Sequence, residues 1–230
     1  MELKCSICRV RACAEEPHKA NYPGFCPMNG PGVDALNHAH TRYDEEATRQ
    51  LAVAAAQTEA VGYCQWPRVQ EIMDFARRIG AERLGIAHCV GLQYEAGLLQ
   101  GILEANGFQV FSACCKVGSI PKEQIGLQDA EKICPGEFEV LCNPIGQAEL
   151  LKAAKTELNI VVGLCVGHDS MFFRHSGAPV TVLVAKDRVT GHNPAAALYT
   201  SHSYYQRLKL GSASQLLAKD GAMALGEDGS

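Results

Sequence analysis

The sequence contains no basic tract, no long apolar run, no phosphate-binding glycine loop and no internal repeat of solenoid length. Each absence removes a class of function. A net charge of −4 without a basic patch argues against nucleic acid or an anionic membrane as the main partner. No segment approaches the roughly 20 apolar residues of a membrane helix. The opening "MELKCSICRV" has no apolar signal core, so the expected location is the cytoplasm. "GIAHCVG" lacks the GxGxxG spacing and GxxxxGK[ST] does not occur, which leaves no dinucleotide fingerprint and no P-loop. Residues 1–42 have few large apolar side chains and no sustained periodicity.

What the chain has instead is cysteine: 11 in 230 residues. In a reducing compartment so many thiols point to metal binding or thiol chemistry, not to structural disulfides. Cys5, Cys8, Cys13 and Cys26 are spaced C-x2-C-x4-C-x12-C, which suits a tetrahedral zinc site or an iron–sulfur cluster. A segment this poor in apolar residues cannot repay its ordering entropy by burial alone, and a bound metal can. Cys26-Pro27 and Cys134-Pro135 repeat the Cys-Pro pair of ferredoxin runs. That pair and a second thiol group favour an iron–sulfur cluster, 4Fe-4S first, with zinc as the alternative.

The rest of the chain, 47% apolar and 20% charged overall, has the patterning of a globular domain. Tyr43, Ala47, Leu51, Ala54, Thr58 and Val61 step by three or four, as one helix face does. From Arg68 to about Leu210 helix and strand alternate. A helical stripe closes at Gly80, strands are expected at 83–89, 108–114, 159–165 and 179–186, and a helix at 93–106. Another helix starts at Asn143 as N-cap with Pro144 in its first position. The expectation is an α/β domain over 43–210 with a parallel sheet of about four or more strands flanked by helices. It follows a cysteine-rich metal-binding segment at 1–42 and precedes a flexible tail at 211–230.

In a parallel sheet the carboxyl ends of the strands share one edge, and ligands bind there. Cys89, Cys114 or Cys115, and Cys165 all end strands, so they are expected to converge as cofactor-binding residues, with an iron–sulfur cluster the first candidate. Cys134 and Cys142 can fold over the same edge from a loop, and the Asn143 helix aims its first N–H groups there. Successive strand residues face opposite ways, so one of Cys114 and Cys115 is expected at the site, and His88 is expected to face away from Cys89. His168 and Asp169 follow a glycine on a loop and are candidates for proton transfer or for orienting the site. Lys186, Asp187, His192 and Asn193 follow the last strand and suit either a site or a solvated turn.

The stretches "CSICRVRAC", "GFCPM", "ACCKVG", "LCNPIGQAELL", "NIVVGLCVGHDSMFFRHSGAPVTVLVAKDRV" and "HNPAAALY" resemble a prokaryotic family common in anaerobes. It is labelled domain of unknown function eighteen-forty-seven, or "metal-binding protein". The resemblance runs to about Arg207 and implies metal binding without a defined reaction. "CCKVG" is similar to the Cys-Cys-x-x-Gly element of heterodisulfide reductase cluster domains, without the later CxxC of that pattern. The functional expectation is a metal-binding, iron–sulfur protein whose second thiol site serves redox or small-molecule chemistry, with a small substrate or a redox partner protein. A zinc-binding sensor or carrier without catalysis, and an enzyme with a single cysteine nucleophile, are the rival readings.

Overall fold

The computed structural model describes residues 3–16, 20–30 and 32–209; the tail expected at 211–230 lies outside the described residues. The chain forms two compact units, Met1–Glu82 and Arg83–Ser230. Among the described residues no helix is long and apolar enough to cross a membrane.

The first unit opens with two single 3-10 turns, Cys5–Ile7 and Ala12–Ala14. Three helices follow: α1 (Gly32–Arg42), α2 (Glu46–Gly62) and α3 (Arg68–Arg78). Helix α1 was not expected, because its polar stretch "GVDALNHAHTR" carries no apolar stripe to announce it. The expected stripe of α2 is shifted. Tyr43 sits in the turn before the helix and Val61 is exposed, while Ala54, Thr58 and Gly62 form the buried line. These small residues allow close approach; a Cβ on Gly62 would stand 2.7 Å from the Trp66 ring. The Thr58 hydroxyl donates to Asp74 of α3 at 2.8 Å, and Arg78 donates to the same carboxylate at 2.5 Å. Arg78 first, and Thr58 after it, hold the Asp74 carboxyl below its ordinary range. Helix α3 buries Ile72, Met73 and Ala76 as its spacing implied. Gly80 then adopts φ +74° and the Ala81 N–H returns to the Ala76 carbonyl, a glycine C-cap.

The second unit is a four-stranded parallel sheet in the order β2-β1-β3-β4. Its strands are β1 (Arg83–His88), β2 (Gln109–Cys114), β3 (Leu158–Val162) and β4 (Val180–Val184). The helices between and after them are α4 (Gln93–Ala105), α5 (Pro144–Ala153), α6 (His168–His175) and the short α7 (Ala195–Tyr199). The fold class is the one the alternating pattern implied. All six residues of β1 but the first, and all five of β3, are buried, as expected for central strands covered on both faces. From β1 the chain steps first to one side, to β2, and later to the other, to β3. Right-handed crossovers therefore put α4 on one face and α5 and α6 on the opposite one. Ala87, Ala113 and Val161 of the sheet pack with Ala148 and Leu151 of α5 and Phe172 of α6.

This connectivity creates a switch point between the carboxyl ends of β1 and β3, the crevice where open α/β sheets bind ligands. Asn159 is buried beneath it; its amide donates to the Ser176 hydroxyl at 2.9 Å and its oxygen accepts from Thr156 at 2.8 Å. Gly85 has no side chain because Asn159 occupies the space, with its Oδ1 2.0 Å from where a Cβ would be.

A thiol-rich sheet edge and a four-cysteine cavity

The four N-terminal cysteines come together. Cys5, Cys8, Cys13 and Cys26 all line one cavity of about 200 Å³, with Arg11, Pro23, Phe25 and Pro27 among its other walls. Local turns set the thiols. The Cys8 N–H bonds the Cys5 carbonyl at 3.1 Å, which puts both at the ends of one turn. Arg11 takes a left-handed φ of 54° to start the turn that carries Cys13. The Cys26 N–H bonds Pro23 at 2.8 Å and the Asn29 amide closes on the same carbonyl at 3.2 Å. Leu3, Ile7 and Val10 remain exposed, so this segment is not organised around an apolar core. Among the described residues no three Cys, His, Asp or Glu side chains stand in a group that could hold a metal ion.

At the carboxyl edge of the sheet the expected convergence is also present. Cys89 directly follows β1, Cys115 directly follows β2, and Cys165 lies three residues beyond β3. Strand alternation puts Ala87 with Cys89 and Ala113 with Cys115 on the face covered by α5 and α6, and both cysteines are buried in that cluster. Between Cys114 and Cys115, therefore, Cys115 belongs to the site. Its N–H bonds the His88 carbonyl at 2.9 Å, and its Sγ accepts from the Val90 N–H at 3.3 Å. Cys114 is the last residue of β2, paired with His88, and half-buried against the same core. His88 is buried, with Nδ1 3.1 Å from the Cys89 carbonyl, as a core histidine.

Cys142 joins these thiols from the loop before α5. The Asn143 N–H bonds the Cys115 carbonyl at 2.7 Å, which fixes the backbones of 142 and 115 side by side. Asn143 caps α5 as its sequence implied, accepting from Gly146 N–H at 2.8 Å, and its amide reaches the Val117 carbonyl at 3.2 Å. Cys115, then His168 and Lys116, hydrogen-bond the Cys142 sulfur and hold its thiol well below the ordinary range. The same contact with Cys142, together with burial, pushes the Cys115 thiol up. The two shifts run in opposite directions and favour the thiolate at Cys142 over Cys115. Cys134 is exposed elsewhere in the loop, its N–H bonded to Glu139 at 2.6 Å, and is not part of this group.

His168 and Asp169 were expected on a loop. They are instead the first residues of α6, because Gly167 turns at φ +86° and ends the loop there. His168 faces Cys142 as a site residue should. Asp169 does a different job: its carboxylate accepts from the Gly167 and Ser170 N–H groups at 3.0 and 2.8 Å and fixes the turn that presents His168. After β4, Asp187 and His192 close a turn upon themselves, with the Asp187 N–H 3.1 Å from His192 Nδ1.

Of the cations near the thiols, Lys186 is one of the candidates that follow the last strand, whereas Arg188 and Lys116 carry no signal in the sequence. Arg188 donates to Cys165 Sγ at 3.1 Å; Cys165 foremost, with Cys89 and Cys142 at longer range, favours its charged form. Lys186 runs across the strand ends; a Cβ on Gly91 would meet its ammonium at 3.3 Å and one on Gly163 its Cδ at 3.5 Å. Gln147, fully buried on α5, was also missed. Its amide donates to carbonyls near the ends of two adjacent strands, Ala113 of β2 at 2.6 Å and His88 of β1 at 3.1 Å, and so holds the ends of β1 and β2 in register.

Fold and site define a doubly wound α/β protein with four thiols around its switch point and a separate four-cysteine segment. The chain belongs to the family described as "Protein of unknown function (DUF1847)", whose model matches residues 27–183. That match begins just after Cys26 and ends within β4. "Uncharacterized protein MJ0455" of Methanocaldococcus jannaschii is 40% identical over 207 residues, which cover 90% of this chain and 98% of the relative. No solved structure matches the chain.

Proposed function

We propose that the protein is a metal–thiolate redox protein. Cys5, Cys8, Cys13 and Cys26 hold an iron–sulfur cluster, and the thiols of the sheet edge carry out redox chemistry on a small molecule. The observation that carries this reading is the sharing of one cavity by all four N-terminal cysteines. The donor type fits the group: four thiolates suit iron as they suit zinc, and although no three of them stand in a metal-holding group among the described residues, all four line the one cavity. The segment around them also needs an organiser. Its apolar side chains Leu3, Ile7 and Val10 face outward, and metal binding at such sites supplies about 10–16 kcal/mol of folding free energy. When bound, the cluster would supply one-electron chemistry.

The residues of the second unit have their own tasks. The surroundings of Cys142, His168 among them, favour its thiolate, those of Cys115 favour its thiol, and Arg188 stands by Cys165. Such a pair of unlike thiols supports thiol chemistry at the edge. Iron, zinc and acid-labile sulfide analysis of the anaerobically purified chain tests the proposal. Iron and sulfide in comparable amounts support it. Zinc without sulfide would replace the redox reading with a zinc carrier or sensor, and a metal-free chain would end both.

A further inference from the structure

We infer that Cys142 and Cys115 form a dithiol centre that reduces a small anionic disulfide, with Cys142 attacking and Cys115 resolving. The inference deepens the sheet-edge part of the proposed function and leaves the N-terminal metal aside. It rests first on the stem geometry. The chain leaves the sheet after Cys115, makes the excursion of residues 116–141, and returns at Cys142. The two sides of that stem are zipped by backbone bonds, Asn143 N–H to Cys115 at 2.7 Å and Leu141 N–H to Ile120 at 2.7 Å. Lys116 adds a clasp from its ammonium to the Val140 carbonyl at 2.5 Å. Cys115 and Cys142 therefore lie on backbone segments tied side by side at the foot of the stem, and their side chains interact.

The two sulfurs differ in the way the chemistry requires. Cys142 is half-buried and reachable, and its surroundings favour the thiolate; Cys115 is buried, out of reach of a first attack, and its surroundings favour the thiol. In the first step the Cys142 sulfur attacks one sulfur of the substrate RS–SR′. A Cys142–SR bond forms, the RS–SR′ bond breaks, and R′S⁻ departs. In the second step the Cys115 sulfur attacks that of Cys142 and gives its proton to the leaving group. The Cys115–Cys142 bond forms and RSH leaves. Two electrons have passed from the dithiol to the substrate, and charge and protons balance.

Charge decides the substrate class. Lys116, Lys186 and Arg188 border the thiols. Asp169 and Asp187, on the turns beside the thiols, are directed to backbone N–H groups, Asp169 to Gly167 and Ser170, Asp187 to Val189 and Thr190; of the five carboxylates in the excursion 116–141, Glu123 and Asp129 pair with Lys132 and Glu139 with Lys122. A cationic rim of this kind concentrates anions and repels cations.

The test exposes the reduced, anaerobically purified chain to oxidised glutathione or, separately, to cystamine. Acid quenching, alkylation and peptide mass spectrometry then locate every modified cysteine. Exposed Cys64 serves as the internal reference for each reagent. The expected product is a Cys115–Cys142 disulfide. Normalised to Cys64, oxidised glutathione should form it roughly tenfold faster than cystamine. Cys115→Ser should stop at a mixed disulfide on Cys142. Because that buried change could unsettle the fold, Cys142→Ser provides the second arm and should leave Cys115 unmodified. Cys142 reacting no faster than Cys64, or a disulfide between Cys115 and some other cysteine, would overturn the dithiol. Equal normalised rates for the two reagents would overturn the anionic class. Metal content, read on the same samples, stays unchanged in Cys142→Ser, so failure here is distinct from failure of the metal reading.

Discussion

Gly163 is the residue on which the packing of the switch point can be tested most sharply. It follows β3 at φ +73°, and a Cβ built there would lie 1.9 Å from Leu92 Cδ1 and 3.5 Å from Lys186 Cδ. Leu92 is 1% exposed and cannot swing outward. Gly163→Ala therefore costs twice. The left-handed backbone costs an L residue about 1–2 kcal/mol. Overfilling a packed core adds about 1–3 kcal/mol. Together about 3 kcal/mol is expected, or a fall in Tm of roughly 6–12 °C for a unit of this size. Gly167→Ala is the built-in control. Its φ of +86° is as demanding, but nothing lies within 4 Å of the added Cβ, so it should lose only about 1–2 kcal/mol. Urea unfolding followed by far-UV circular dichroism measures both. If the two variants lose the same amount, Leu92 does not pack under Gly163 and the described edge is wrong.

Three further outcomes are expected. Asn143→Ala removes the cap on Gly146 and the tie to Val117, and should cost about 1–2 kcal/mol by urea unfolding; an unchanged midpoint would show that α5 does not depend on this cap. The Cys142 thiolate is favoured in the folded state, so its stabilisation is present above the ordinary thiol value near 8.5 and is lost as pH falls through the folded value. Its iodoacetamide rate should accordingly stay level between about pH 8 and 6 while that of free N-acetylcysteine in the same buffers drops about tenfold per unit, and parallel declines would remove the charge assignment. Cys8→Ser should empty the N-terminal site of metal by elemental analysis while the sheet unit keeps its circular dichroism and melting behaviour.

The parts of this arrangement written as periodicity were legible in the sequence. Apolar runs ending in cysteine placed Cys89, Cys115 and Cys165 at one edge, because a parallel sheet leaves no other position for the ends of its strands. Asn143 and Pro144 announced α5 for the local reason that caps are short-range chemistry. Helix α1 escaped because its polar sequence offers no stripe, and α6 was hidden because Gly167 punctuates the chain just before it begins. Lys116, Arg188 and Gln147 escaped for a different reason. Each acquires its role from a neighbour distant in sequence, and no local pattern records which loop cation will meet which thiol. The helices of 46–78 pattern like the start of the α/β text, yet they group with the N-terminal unit, because compactness depends on contacts that periodicity does not encode.

The central claim is that the chain keeps two sets of thiols for two purposes, a metal-holding set and a reacting set. Cysteine-by-cysteine alkylation of the anaerobic, metal-replete protein, with and without prior chelation, tests it in one measurement. Cys5 and Cys13 are exposed in the bare chain, as Cys64 is. The account predicts that Cys5, Cys8, Cys13 and Cys26 resist alkylation as a group and become reactive together on chelation, whereas Cys142 reacts first in both samples. If Cys5 and Cys13 alkylate as fast as Cys64 before chelation, or if chelation releases Cys142 along with them, the division into two sets is wrong.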